Sequence, residues 1–237
     1  MKRYQNPQLF QLREIGLALT FIGGFIDAYT FVQRGGVLAA GQTGNLIFLS
    51  VDIAQRDLPG ALTKVATVMG FMIGVALVRL LAYHVRPHSH YWRLLTLLSG
   101  VIVCGLVGAL PTAMSNLIVV PPLALVMAMQ TTAFGTIVGH GYNNVFSTGN
   151  LKKATNALMT YALTSDPEQL LSSRVYFELV GCFTGGAVVS ALLQNVMATR
   201  TIWVAAGLIT LVGGYYGFLL RRRQVDPHAE KEDEKNA

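Results

Sequence analysis

Thr43-Gly44-Asn45-Leu46 returns as Thr148-Gly149-Asn150-Leu151, 105 positions later. With the same offset Ala28-Tyr29 falls on Ala133-Phe134, so an apolar segment precedes each copy at the same distance. With a slightly longer offset, Gly70-x-Met72-x-Gly74-x-Ala76-Leu77-Val78 falls on Gly181-x-Phe183-x-Gly185-x-Ala187-Val188-Val189. The chain therefore reads as two diverged halves, about 15–110 and 117–220. Each has an apolar segment, a TGNL element, a GxxxG segment and one more apolar segment.

Composition sets the class. Of 237 residues 52% are hydrophobic and only 13% are charged, and the mean hydropathy is +0.47. Five of the twelve acids (Asp226, Glu230, Glu232, Asp233, Glu234) crowd into the last twelve residues, which leaves the body nearly free of charge. That points to an all-α polytopic membrane protein, with the lipid bilayer as its main partner. The net charge of +6 does not indicate a nucleic-acid partner, because the basic residues lie between apolar segments and form no single stripe. Cys104 and Cys182 both lie in apolar segments and read as buried free thiols. The apolar run after Arg13 is too long for a signal-peptide core and carries Asp27, so no cleavable leader is expected.

Taken in order, 1–14 is a polar cytoplasmic lead and 15–220 a single transmembrane domain, followed by a charged cytoplasmic tail at 221–237. Spans are expected at 15–32, 61–85, 94–110, 117–138, 169–194 and 201–220, each near the 20 residues needed to cross about 30 Å. The TGNL helix at 43–55 cannot cross unaided, since about twelve residues reach only roughly 18 Å, and 148–163 is read as the second short helix. Pro121-Pro122 falls in the expected first turn of its span, where proline is tolerated. Asp166 or Ser165 reads as the cap of the helix after it. Arg221-Arg222-Arg223 places the C-terminus inside, and the basic residues of the 86–93 loop and around 152–174 also fall inside if six spans are counted. Six is therefore the expected number, with both termini cytoplasmic. Three spans per half is odd, so the halves insert in opposite senses. A 3+3 inverted repeat with two half-helices is the result, a plan shared by many secondary transporters.

The candidate pathway residues are Asp27, Thr43, Gly44, Asn45, Gln130, Thr132, Thr148, Gly149 and Asn150. Thr43 and Thr148 are placed to cap the short helices, the glycines to let a ligand or backbone approach, and Asn45 and Asn150 to donate and accept together. A half-helix start inside protein offers free N–H groups to an anion or polar solute. Asp27 is an acid inside a span with no basic residue three or four positions away, which makes it a candidate for proton coupling. Its repeat mate is Thr132, beside Gln130 and Thr131, so the two halves differ chemically. Glu178 is explained by Arg174 one turn earlier, and Arg79 by snorkelling. His84, His88 and His90 have no cysteine or carboxylate beside them and read as a solvated loop, not a metal site. The GxxxG pairs read as close helix packing and as faces for a homo-oligomer. No nucleophile elbow, phosphate-binding loop or catalytic carboxylate pair is present, so neither an enzyme nor a cofactor is expected.

Gly24-Phe25-Ile26-Asp27-Ala28 followed by Gln42-Thr43-Gly44-Asn45-Leu46 resembles the YoaK-like family of bacterial multi-span inner-membrane proteins. The likeness runs from about Leu12 to Leu220. It implies a bacterial inner-membrane protein and brings no catalytic residues with it.

The function expected is a transporter or channel-like carrier of a small polar or anionic solute, proton-coupled through Asp27. The alternative is a non-catalytic membrane assembly or sensor protein. A membrane-embedded enzyme is disfavoured, because the acids are scattered and three of the five histidines share one loop.

Overall fold

The computed structural model describes residues 8–85, 89, 91–143, 145 and 147–224. The basic residues at the start of the chain, His88 and His90, and the acidic tail lie outside the described residues.

Eight α-helices and one small hairpin make up the described fold: α1 (Arg13–Gln33), α2 (Gln42–Gln55), α3 (Leu58–Val85), α4 (Trp92–Ala109), α5 (Asn116–Ala133), β1 (Thr136–Ile137), β2 (His140–Gly141), α6 (Ser147–Thr164), α7 (Pro167–Met197) and α8 (Ile202–Gln224). Five helical stretches are long and apolar enough to cross a membrane. Four are α1, α3, α4 and α5. The fifth, Pro167–Arg222, is 56 residues long and takes in both α7 and α8. Between them the chain turns through a 3-10 segment, Ala198–Thr201, where Ala198 has φ 46°. Large apolar side chains such as Met72, Leu80, Leu106, Leu192 and Leu211 point outward, as suits a hydrocarbon surrounding.

The first helix of each half lies at the centre. Of the apolar window of α1 67% is buried, and of α5 50%, against 22% for α3. Specific contacts fix the helix directions. Arg13 meets Glu178 near the start of α1, and the Tyr29 hydroxyl donates to the Thr199 carbonyl at 3.0 Å at its finish, so α1 and α7 run the same way. Gly70 lies against Pro121 and Gly74 against Leu125, so α3 and α5 also run the same way. α5 opposes α1, since Gly35 faces Asn116 while Gln130 reaches back to the Leu19 carbonyl. α4 and α8 oppose each other, with Trp203 donating to Gly105 at 3.0 Å and Leu94 lying beside Gly217. Exchanging the halves (α1 for α5, α3 for α7) maps the two most extensive packings, α1 on α7 and α3 on α5, onto each other.

Glycines permit both of these crossings. A Cβ on Gly24 would overlap the Phe183 carbonyl oxygen, and one on Gly186 the Phe21 carbonyl oxygen. On α3 Gly70 and Gly74 serve as the sequence suggests. On α7 they do not: Gly181 meets open space and Gly185 only the edge of the Phe21 ring, so Gly186 makes the close approach. The close approach falls one residue after the position that the sequence spacing marks.

Three local expectations need correction. The span expected at 117–138 ends at Ala133. Val138 and Gly139 both take positive φ and make the tight turn between β1 and β2. Val138 is held in this unfavourable conformation while its N–H donates to the Gln11 carbonyl at 2.8 Å. Pro121 and Pro122 lie beyond the first turn of α5, where each removes an intrahelical donor. The bundle tolerates them, and the Pro121 carbonyl side is the surface Gly70 packs on. Glu178 pairs with Arg13 of α1 through two bonds, one of 2.8 Å from Arg13 Nε, while Arg174 is exposed. The expected cap on α7 is present: Asp166 accepts from the Glu168 N–H at 3.0 Å, with Pro167 at the first position.

Gly24→Val and Gly186→Val are each expected to cost about 3 kcal/mol or more by forcing two helix backbones apart. In detergent both should lose the monodisperse gel-filtration peak, while Gly207→Val, at a position that faces open space, should elute and melt as the wild type does.

Candidate functional site

Gly35 and Gly36, both at φ near +70°, turn the chain back after α1, and the Gly36 N–H closes the helix onto the Phe31 carbonyl at 3.0 Å. The returning strand, 37–41, is largely buried against α1. Its backbone lacks a helical or sheet partner, and every buried N–H and C=O then needs one. Side chains supply them. The Ala40 N–H donates to Asp27 Oδ1 at 2.7 Å, and the Ala39 N–H to Thr30 Oγ1 at 3.1 Å. The Leu38 N–H donates to Asn45 Oδ1 at 2.9 Å, and Asn45 Nδ2 donates back to the Leu38 carbonyl at 2.7 Å. Gln42 closes the loop, accepting from Asn45 Nδ2 at 3.0 Å and donating to the Ala39 carbonyl at 3.0 Å. Asp27, 5% exposed, and Asn45, fully buried, are thus the clamps of the first connector.

The second connector repeats the device. Asn150 Nδ2 donates to the Asn143 carbonyl at 2.8 Å, again seven residues back, and Asn143 stands 105 positions after Leu38. Here a basic residue adds a second tie. Lys153 Nζ donates to the Gly141 carbonyl at 2.6 Å, and the Tyr176 hydroxyl donates to the same oxygen at 3.0 Å. His140 packs on the Tyr176 ring. Burial first, and the Lys153 charge second, hold its imidazole below the usual histidine range, which favours the neutral ring.

The threonines do not cap. α2 starts at Gln42 with Gly41 before it and no side-chain cap bond, and α6 starts at Ser147. Each threonine falls inside its first turn and is exposed, because the connector's own bonds already fix where the helix begins. Gly44 is close to the Leu38 side chain, while Gly149 faces open space. Gln130, 3% exposed, bonds the Leu19 carbonyl at 3.4 Å, and Thr132 bonds back to Ala128 of its own helix at 2.7 Å.

The nine residues fall into three places. Asp27 and the first TGN element meet where α1 finishes, and Gln130 joins α5 to α1 midway. The second connector lies where α1 starts, with Val138 on Gln11 and Ile137 against Gly16. Gly16 and Asp27 are eleven residues apart, roughly 16 Å along the helix.

Sequence reading missed two further features. Lys64 and Asp52, 5% and 9% exposed, form an ion pair between α2 and α3. At the repeat offsets the second half has Ala157 and Val175 there, both buried. An acid in a short apolar helix and a lysine in the next span were the available signal. Arg34 is the largest fully buried side chain, 1% exposed. It is the C-cap residue of α1, seven residues after Asp27, with its backbone already out of the helical conformation.

These features define a helical membrane-type protein with two buried irregular connectors, each clamped by polar side chains. A family model described as a protein of unknown function, DUF1275, matches residues 15–215, and the chain belongs to that family. The YoaK-like likeness of the GFIDA and QTGNL motifs is compatible with it. Neither a curated protein nor a solved structure matched the chain.

Breaking the Asp52–Lys64 pair from one side strands a buried charge, at about 3–5 kcal/mol, whereas replacing both partners with apolar residues is near neutral. Asp52→Ala and Lys64→Val should each lower the melting temperature sharply, and the double variant, which copies the second half, should recover most of the loss.

Proposed function

We propose that this protein is a six-span carrier built as a 3+3 inverted repeat in the bacterial inner membrane, moving a small polar or anionic solute. The observation that carries the reading is the placement of the two connectors. Each follows the central helix of its half, each is clamped by the asparagine of a TGN element, and they lie at opposite ends of α1. Non-helical backbone at membrane depth, held between oppositely directed halves, is the arrangement alternating-access carriers use. The helix directions support it further: α1, α4 and α7 run one way, and α3, α5 and α8 the other. Under this reading α7 and α8 are separate spans, both termini are cytoplasmic, α2 returns to the outer side and α6 to the inner side.

Asp27 then has two roles to separate, clamping the connector and carrying a proton. Asp27→Asn keeps an oxygen for the Ala40 N–H but cannot be charged. For an oligomeric contact the chain offers Gly181 on α7, since Gly70 and Gly74 are covered by α5.

The test is flux. Proteoliposomes loaded with a pH-sensitive dye are challenged with small carboxylates, phosphate and neutral polar solutes. A solute-dependent internal pH change that Asp27→Asn abolishes, with the melting temperature kept, is the expected result. A change that survives Asp27→Asn would leave a carrier without proton coupling through Asp27. No protein-dependent flux of any solute class, with or without a pH gradient, would overturn the reading.

A further inference from the structure

Arg34 is a buried cation without a carboxylate partner among the described residues. The ion pairs there are Arg13–Glu178 and Lys64–Asp52. Its Nη1 reaches the Thr112 carbonyl and its Nη2 the Tyr29 hydroxyl, each only at 3.5 Å, the outer limit of a hydrogen bond. Its Nε is buried with no partner at all. The guanidinium therefore keeps one edge, Nε with the weakly held Nη2, buried and unsatisfied among the described residues. That edge has the fork geometry that binds a carboxylate or oxyanion through two parallel bonds.

The surroundings favour an anion for a second reason. Arg34 lies under the segment joining α4 to α5, and its neighbour Gly35 sits against Asn116, the first residue of α5. The residue before α5, Ser115, makes no side-chain cap bond to it. The positive end of an eighteen-residue helix thus lies beside the backbone that carries Arg34, four residues after the carbonyl its guanidinium reaches. The Asp27 carboxylate, seven residues earlier in the chain, accepts from the Ala40 N–H. Burying such a charge is costly unless it is matched.

We propose that Arg34, together with the α5 N-terminus, forms a binding site for a small oxyanion or carboxylate at the end of the bundle where α1 finishes. The exposed segment 111–113 lies between the site and the surroundings, so entry requires that segment to move. The site stands apart from the transport reading, since an anion bound here need not be carried.

The experiment is a melting curve of the purified full chain in detergent at constant ionic strength, titrated with sulfate, phosphate, acetate and succinate against chloride. A saturable rise in melting temperature with at least one anion is expected, as ligand binding to the folded state requires. It should vanish in Arg34→Gln and persist, weakened, in Arg34→Lys. A parallel arm in nanodiscs compares phosphatidylglycerol with phosphatidylcholine. A rise confined to phosphatidylglycerol and lost in Arg34→Gln identifies a lipid headgroup phosphate as the source, and a rise with soluble salts identifies a free anion. If the wild type shows no saturable response in either arm, or Arg34→Gln folds and responds as the wild type does, the site does not exist.

Discussion

Buried backbone that belongs to no helix has to be paired, and this requirement shapes both halves of the molecule. The segment after α1 doubles back against it, and its N–H groups at Leu38, Ala39 and Ala40 are met by Asn45, Thr30 and Asp27. An unmatched amide there would cost about 1–3 kcal/mol. Three such amides would approach the whole stability of a small domain. Asp27, Thr30 and Asn45 are the buried polar residues placed where this need arises.

This explains why the TGN element recurs. The asparagine amide can donate and accept at once, and at both sites it reaches the residue seven positions back. The first copy makes both bonds to Leu38, whereas the second makes one to Asn143 and leaves the rest to Lys153 and Tyr176. The two connectors share the asparagine clamp and differ around it. A buried ion pair in one half stands where alanine and valine stand in the other.

Much of the fold was legible in the chain. Runs of apolar residues marked the long helices to within a few positions, because hydropathy in a membrane protein is nearly a direct record of burial in lipid. The end of α5 was not legible: the apolar Thr136–Val138 stretch looks like more span, and only packing on Gln11 and Gly16 turns it into a hairpin. The contact of α7 through Gly186 was hidden for a similar reason, since a repeat register gives the spacing of small residues and not which one faces a partner. In the candidate site, Asp27 and the asparagines stood out by type and position. Arg34 was masked by its place in a polar-looking connector, where an arginine ordinarily faces solvent. Its burial depends on the adjoining turn at Gly35-Gly36 and on the segment joining α4 to α5, whose Thr112 carbonyl it reaches and which is distant in sequence.

Under the proposed reading the two halves insert in opposite senses, each with its short helix returning to its own side. Gln55 and Thr164, exposed at the ends of α2 and α6, report on it most directly. With Cys104 and Cys182 replaced, Gln55→Cys and Thr164→Cys are each treated with a membrane-impermeant thiol reagent, in intact cells and in inverted vesicles. The inverted arrangement predicts that Gln55→Cys reacts only in cells and Thr164→Cys only in vesicles. Reaction of both from the same side would contradict it.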